Sequence, residues 1–265
     1  MQEEIIEIKF KKKYITIVFN SFKIDISKDT YLDNYFYVGK SLDKSEIDKL
    51  KEKEKQIKVN NYLNNILYRY SYSYKQIKIK LKQKYKLNDE VIDEVLKPYV
   101  DSNLISNKNY AYILIDSLYL KNYSKEYILD RINKEEIIVG SDIISYIEQT
   151  CIYNKEFFFN IISKLDLRFK SYPINKRKDK IIDYFYKHGF FNQEYKSFLN
   201  DFYLNKKDDD IYKKIEKDYI KINNQLINKQ LSEYERKNKI ISKLLNKGYL
   251  IDDINFYIKN ITMLK

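Results

Sequence analysis

The chain has 265 residues, a formal net charge of +12 and a pI near 9.2, with only four glycines, two prolines and one cysteine. So few turn formers exclude a fold built from many tight hairpins and favour helices joined by short polar connections. The single cysteine, Cys151, excludes an intramolecular disulfide or a cysteine-cluster metal site. The basic balance favours a polyanionic partner, although the Lys-, Asn-, Ile- and Tyr-rich composition with one alanine, Ala111, is also what AT-rich coding produces.

The charged opening Met1-Gln2-Glu3-Glu4 is unlike a signal peptide, and no long apolar run marks a membrane span, so a soluble, cytoplasmic monomer is expected. Ile6, Ile8 and Phe10 alternate with charged residues, Tyr14 to Phe19 is β-branched and aromatic, and Phe22, Ile24 and Ile26 alternate again. This pattern predicts two or three short antiparallel strands that need the following helices to be stable. A helix is then expected from about Thr30 to Val38, ended by Gly39, and another from Lys44, capped by Asp43. The charged stretch Lys49 to Lys58 reads as a solvated helix or a hinge.

Beyond it a helical signature recurs at intervals of roughly 50–60 residues: Ile77-x3-Leu81-x3-Tyr85, Ile128-x3-Ile132-x3-Glu136, Ile181-x3-Phe185-x3-Gly189 and Ile240-x3-Leu244-x3-Gly248. Each copy has an apolar helical run before and after it. The first lies between Leu63, Ile66, Leu67 and Tyr70 and an Asn88-capped run through Val91, Ile92, Val95 and Leu96 that stops near Pro98. Tyr110 to Leu118 and Ile143 to Ile147, capped by Ser141, flank the second; Phe157 to Leu165 and Tyr195 to Phe202, capped by Asn192, flank the third. The fourth sits between Ile211 to Ile222 and a run through Ile254, Tyr257, Ile258 and Ile261. Ser73 with Gln76, and Ser232 with Glu235, read as capping boxes, and Ser124 as an N-cap.

The expected fold is therefore mostly α. Tandem three-helix repeats over 58–106, 107–152, 153–206 and 207–265 form an elongated, curved body after a small N-terminal antiparallel β-element with connecting helices over 1–57. Gly39, Gly189 and Gly248 are the expected structural turns, needing positive φ. Tyr85 and Glu136 hold the equivalent place in the first two repeats, so those turns are expected to be made differently.

The middle helix of the first repeat carries Lys75, Lys78, Lys80, Lys82 and Lys84 on both sides of its apolar stripe. This is either a solvated helix with snorkelling stems or a basic ridge facing a polyanion. Arg131, Lys180, Lys187, Lys243 and Lys247 take comparable places in later repeats, and Arg69 and Arg168 stand out in an arginine-poor chain. Tyr68, Tyr70, Tyr72 and Tyr74 precede the lysine-rich helix, as core residues or as platforms for unpaired bases. Nothing points to an enzyme, a cofactor or a metal. His188 sits at a helix end, Asp208-Asp209-Asp210 and Asp252-Asp253 precede helices whose N-termini favour acids, and no phosphate-cradling glycine loop is present.

The run from Tyr62 to Leu81 resembles the opening repeat of the RecX family, bacterial regulators of the RecA recombinase, and Asp89 to Ile105 resembles its third helix and exit. Tyr110-Ala111, Lys187-His-Gly-Phe190, Lys247-Gly-Tyr249 and Val38-Gly39-Lys40-Ser41-Leu42 match further family features in order, so the resemblance covers essentially the whole chain. Tyr70-Ser71-Tyr72 stands where the family carries Arg-Pro-Arg, Ser106-Asn107 where it carries Asp-Asp, and Leu118 near a usual arginine. The resemblance implies a protein that binds RecA filaments and single-stranded DNA, directly or within the filament, and limits filament extension, strand exchange, ATP hydrolysis and the SOS response. Contacts would fall on Arg69, the lysines of the first middle helix and their later counterparts. The alternatives are a nucleic-acid-binding helical module independent of RecA and a helical scaffold for an unrelated protein.

Overall fold

The structure, a computed structural model, describes residues 2–263, with side chains through residue 260. Met1 and the side chain of Ile261, expected to face inward, lie outside the described residues. The chain forms two compact units: residues 1–113 with 135–137, and residues 114–134 with 138–265.

The first unit begins with strands β1 (Gln2–Phe10), β2 (Ile15–Phe19) and β3 (Lys23–Ile26), helix α1 (Lys28–Asn34) and strand β4 (Ser41–Asp43). They make a four-stranded antiparallel sheet in the order β3-β2-β1-β4, with Ile5 opposite Phe19 and Ile17 opposite Ile24. Ile5, Ile15, Ile17, Phe19, Ile24 and Ile26 share a core with Phe36, Leu42, Ile47 and Leu50. The fourth strand was not expected. It forms because the turn at Gly39 (φ +94°) returns the chain to β1, where the Ile5 N–H donates to the Lys40 carbonyl and the Gly39 N–H to the Ile5 carbonyl at 2.9 and 2.8 Å. Helix α1 ends earlier than the pattern predicts, at Asn34, because left-handed Tyr35 (φ +47°) turns Phe36 into the core.

Helix α2 (Lys44–Arg69) runs unbroken through 57/58, where the sequence suggests a boundary, and the charged stretch is helix, not hinge. A complete capping box between Asp43 and Glu46 starts it. Ile47 and Leu50 face the sheet core, whereas Val59 and Leu63 enter the core of the first repeat, so one rod joins both.

The repeats follow as expected. Helices α3 (Tyr74–Tyr85) and α4 (Asp89–Asp101) close on α2 through Val59, Leu63, Ile77, Leu81, Ile92 and Leu96. Helices α5 (Asn107–Leu120), α6 (Lys125–Lys134) and α7 (Ser141–Thr150) bury Ile115, Ile128, Ile132, Ile143 and Ile147. Helices α8 (Lys155–Arg168), α9 (Ile174–Lys187) and α10 (Tyr195–Tyr203) enclose the aromatic core of Phe158, Phe185, Phe190 and Tyr195. Helices α11 (Ile211–Leu226), α12 (Glu233–Asn246) and α13 (Ile251–Met263) bury Ile215, Ile222, Ile240, Leu244 and Ile254. The isoleucine and the residue four places on in each signature are thus inward, each contributing roughly 1.5–3 kcal/mol by burial.

Ser73, Asn88, Ser124 and Ser232 cap their helices through side-chain oxygens. The Ser73 box is only half a box, since Gln76 turns away to Tyr110 and Glu135. Gly140 and Glu194, not Ser141 and Asn192, occupy the N-cap positions of α7 and α10, without side-chain caps.

The start of one middle helix meets the end of the next. The Ser124 N–H donates to the His188 carbonyl at 2.8 Å and its hydroxyl to the Gly189 carbonyl at 2.9 Å. A Cβ on Gly189 (φ +89°) would lie 2.7 Å from both Ser124 Oγ and Tyr127 Cβ. Gly248 (φ +93°) meets Lys176 in the same way, its absent Cβ 3.0 Å from Lys176 Cβ. At the start of α3 carboxylates take that place: Ser73 and Gln76 donate to Glu135 at 2.7 and 2.9 Å, and Lys75 pairs with Glu136 at 2.8 Å. Glu136 is itself left-handed (φ +59°), so its turn is made as the glycines make theirs; in the first repeat Lys86 (φ +53°), one residue after Tyr85, does so.

Candidate nucleic-acid interface

On α3, Ile77 and Leu81 are fully buried, and a period of 100° per residue separates the lysines into two rows. One row is neutralised. Lys78 pairs with Asp89 and Asp93 at 2.8 and 2.9 Å, Lys82 with Asp89 at 2.8 Å, and Lys75 with Glu136. Hydrogen bonds from Lys78 and Lys82 hold the Asp89 carboxyl below the usual carboxylate range, and those from Tyr74 and Lys78 do the same for Asp93. The Lys78 ammonium is correspondingly raised, chiefly by its bond to Asp89. Partial burial and the bond to Asp93 push the Tyr74 phenol up to about 12. A polyanion docking on this row has to displace carboxylates already in place.

The other row is open. Lys80 lies over the Tyr72 ring at 4.8 Å, and Lys84 over the Tyr62 ring at 3.9 Å with Tyr85 at 5.6 Å. Tyr70 and Tyr72 meet edge to face at 6.2 Å, as do Tyr62 and Tyr85 at 5.8 Å. Tyr68 and Arg69, at the end of α2, and Tyr70 beyond it are exposed. Arg69, Lys80 and Lys84 form no ion pair among the described residues. Cations resting on tyrosine faces with no carboxylate partner can take phosphates while the rings offer π-surface to bases.

The other expected contact residues are dispersed along the later helices. Arg131 is half-buried in the last turn of α6, and Lys187 is exposed at the end of α9. Lys180 lies 4.5 Å from the Tyr172 ring centre, Lys243 reaches Gln225 at 3.4 Å, and Lys247 is paired with Asp218 at 2.7 Å. His188 behaves as a helix-end residue, its Nδ1 2.7 Å from the Tyr184 carbonyl, and burial lowers its pKa. Cys151 is buried, which pushes its thiol up and away from reactivity.

The sequence reading passed over the most buried cation. Arg177 donates to the Tyr172 carbonyl at 2.7 Å, to Asp166 at 3.3 Å and to Asp208 at 2.9 Å, and is 4% exposed. Lys206 and Tyr203 also hold Asp166, and Lys214 holds Asp208 at 2.6 Å. Asp208 is thus half of an interior charge network rather than a helix-start acid. Burial works to raise the Asp166 carboxyl, but the Lys206 and Tyr203 hydrogen bonds and the nearby cations outweigh it and hold it low. Two signals mark the network: Asp166 follows Ile161, Ile162 and Leu165 on an apolar helix face, and Arg177 stands four residues before Ile181, where Ser73 and Ser124 stand before Ile77 and Ile128.

Among the described residues no group of three or more His, Cys, Asp or Glu side chains is placed to hold a metal, and no helix is long and apolar enough to cross a membrane. Fold and surface together define a helical-repeat protein whose three-helix units carry basic and aromatic groups. No family model matches the chain. Regulatory protein RecX of Streptococcus agalactiae serotype III (strain NEM316) is 24% identical over 260 residues, spanning 95% of this chain and 96% of the relative. The RecX of serotype V (strain 2603 V/R) gives the same figures. A crystal structure of regulatory protein RecX, 18% identical, covers 75% of this chain and 99% of its own at a TM-score of 0.47. The chain is thus similar along nearly its whole length to regulatory proteins named RecX.

Proposed function

We propose that this protein regulates RecA by binding its nucleoprotein filaments, limiting filament extension, strand exchange and RecA ATP hydrolysis, and so damping the SOS response. The RecX relationship along 95% of the chain carries this reading. The four three-helix units, taken as 58–106, 107–152, 153–206 and 207–265, each offer cations, so several weak contacts to successive filament protomers add through effective concentration. Within the first unit the working surface is Arg69, Lys80 and Lys84 with Tyr62, Tyr70 and Tyr72, which suits single-stranded DNA held in the filament. The acid-paired row, Lys75, Lys78 and Lys82, contributes less.

The test is co-sedimentation with RecA on single-stranded DNA, alongside RecA strand-exchange and DNA-dependent ATPase assays. Tight association that needs RecA, with both activities falling as the protein saturates the filament, is the expected result; weaker RecA-free binding to single-stranded DNA is compatible with it. Unchanged RecA activities at saturation overturn it. Tight DNA binding without RecA, falling steeply with salt, together with unchanged RecA activities, supports the RecA-independent nucleic-acid module instead.

A further inference from the structure

We infer that a cleft in the third repeat is a second nucleic-acid site, seating one nucleotide of single-stranded DNA. The cleft has a volume of about 420 Å³ and is lined by Asn122, Phe157, Asn160, Ile161, Lys164, Leu165, Arg168 and Tyr184. Asn160, Lys164 and Arg168 recur every four residues along one face of α8, so the helix itself aligns an amide and two cations. Tyr184 comes from α9, and Asn122, in the left-handed conformation (φ +64°) that asparagine tolerates, comes from the α5–α6 turn. These parts belong to one compact unit.

Charge selects the ligand. No carboxylate lines this cleft, and neither Lys164 nor Arg168 forms an ion pair among the described residues. The other clefts are different. One beside α3 contains Glu135 and Glu136, one between α9 and α11 contains Asp208, Asp209 and Asp253, and those along α2 contain Glu46 or Glu94. Two exposed cations without counter-ions favour phosphate, and Arg168 adds a guanidinium able to bind it bidentately.

The remaining lining suits a base. Phe157 and Tyr184 supply aromatic walls, and neighbours brace both: Tyr119 stacks on Phe157 at 5.6 Å, and His188 on Tyr184 at 3.8 Å. The Asn122 Nδ2 donates to the Tyr184 hydroxyl at 3.0 Å, leaving its side-chain oxygen as an acceptor. Asn160 presents both an acceptor and donors from an exposed position. Aromatic surface, amides and cations around one cleft match a base joined to phosphates, and the aromatic edge requires that base to be unstacked. Duplex DNA does not present one.

This site is separate from the α3 surface and does not depend on RecA, so the two fail separately. The experiment measures a fluorescent oligothymidylate binding to the full-length protein without RecA, over a salt titration, for wild type, Lys164→Gln/Arg168→Gln and Lys80→Gln/Lys84→Gln. An oligonucleotide carrying 5-iododeoxyuridine is photo-crosslinked in parallel, and circular dichroism checks that the variants are folded. We expect the α8 variant to lose about tenfold in affinity and to flatten the salt slope by about 1.4, the value for two single-strand phosphates. Crosslinks should fall on Phe157 or Tyr184 and be competed by unlabelled single strands but not by duplex. Unchanged affinity and slope in the α8 variant, crosslinks confined elsewhere, or no binding without RecA each overturn the cleft assignment. An α8 variant that binds like wild type beside a weakened α3 variant removes the cleft and leaves the α3 surface standing.

Discussion

Replacing Gly189 by alanine tests how the repeats are joined. The residue lies at φ +89°, where a side chain costs about 1–2 kcal/mol from backbone strain alone. Its Cβ would also sit 2.7 Å from Ser124 Oγ and Tyr127 Cβ, well inside ordinary contact, and overpacking of this kind costs about 1–3 kcal/mol. Should α6 and α9 part to make room, the two bonds from Ser124 to the His188 and Gly189 carbonyls are lost instead, at about 0.5–1.5 kcal/mol each. Either route gives a total of about 2–5 kcal/mol. Gly39→Ala is the control: its φ of +94° carries the same kind of backbone strain, but the nearest atom, Glu4 Oε1, is 3.9 Å away, so about 1–2 kcal/mol is expected. Gly248→Ala should fall between them, with Lys176 Cβ at 3.0 Å. Guanidinium denaturation followed by circular dichroism ranks the three. Hydrogen exchange at the Ser124 and Tyr127 amides gives the local reading, which matters because repeat arrays need not unfold in one step. If Gly39→Ala costs as much as Gly189→Ala, or the Ser124 amide of the Gly189 variant exchanges at the wild-type rate, the close-contact account is wrong.

Arg177→Met should destabilise the protein by about 3–5 kcal/mol, because Asp166 and Asp208 lose a shared buried cation; Arg177→Lys should recover only part, read from denaturation midpoints. Asp166 is held below its unfolded pKa of about 3.9, so its stabilising contribution is present above that pH and is lost as pH falls through the lower folded value. Amide protection in α8 to α10, taken relative to the intrinsic exchange rate at each pH, should therefore fall below about pH 4, and protection factors that stay flat between about pH 5 and pH 3 count against the assignment. Glu135→Ala leaves the buried Ser73 hydroxyl without its acceptor and should cost about 1–3 kcal/mol in thermal or chemical melts. Charge reversal at Lys80 and Lys84 should abolish most inhibition of RecA strand exchange, whereas Lys78→Gln, whose cation is already paired, should leave it near wild type.

The repeated core was legible because its signal is periodic: Ile77 and Leu81, Ile128 and Ile132, Ile181 and Phe185, and Ile240 and Leu244 are all inward. Strand β4 escaped because three residues have too little alternation to show, and its pairing depends on Gly39 returning the chain to a distant strand. The continuity of α2 was hidden by its charge, since Glu54 is buried and bonded by Ser27 while its neighbours are solvated. At the interface the lysines of α3 were visible, but their division into paired and open rows was not. That division is set by Asp89, Asp93 and Glu136, up to 61 residues away from the lysines they neutralise. Arg177 was missed for the same reason, its partners lying elsewhere in the chain, Asp166 on α8 and Asp208 in the connection before α11.

The junctions between middle helices also settle where anions cannot go. A helix start is ordinarily a ready phosphate site, with unsatisfied N–H groups at the positive end of the helix dipole. At α6 that end abuts the His188 and Gly189 carbonyls, the negative end of the next middle helix, so the two dipoles run in series and their terminal charges cancel. At α3 the Glu135 carboxylate occupies the same place. Backbone capture of phosphate is closed at both, leaving side chains to hold any phosphate near these junctions. Such grip is indifferent to sequence and yields readily to salt, so any nucleic acid held there is held reversibly.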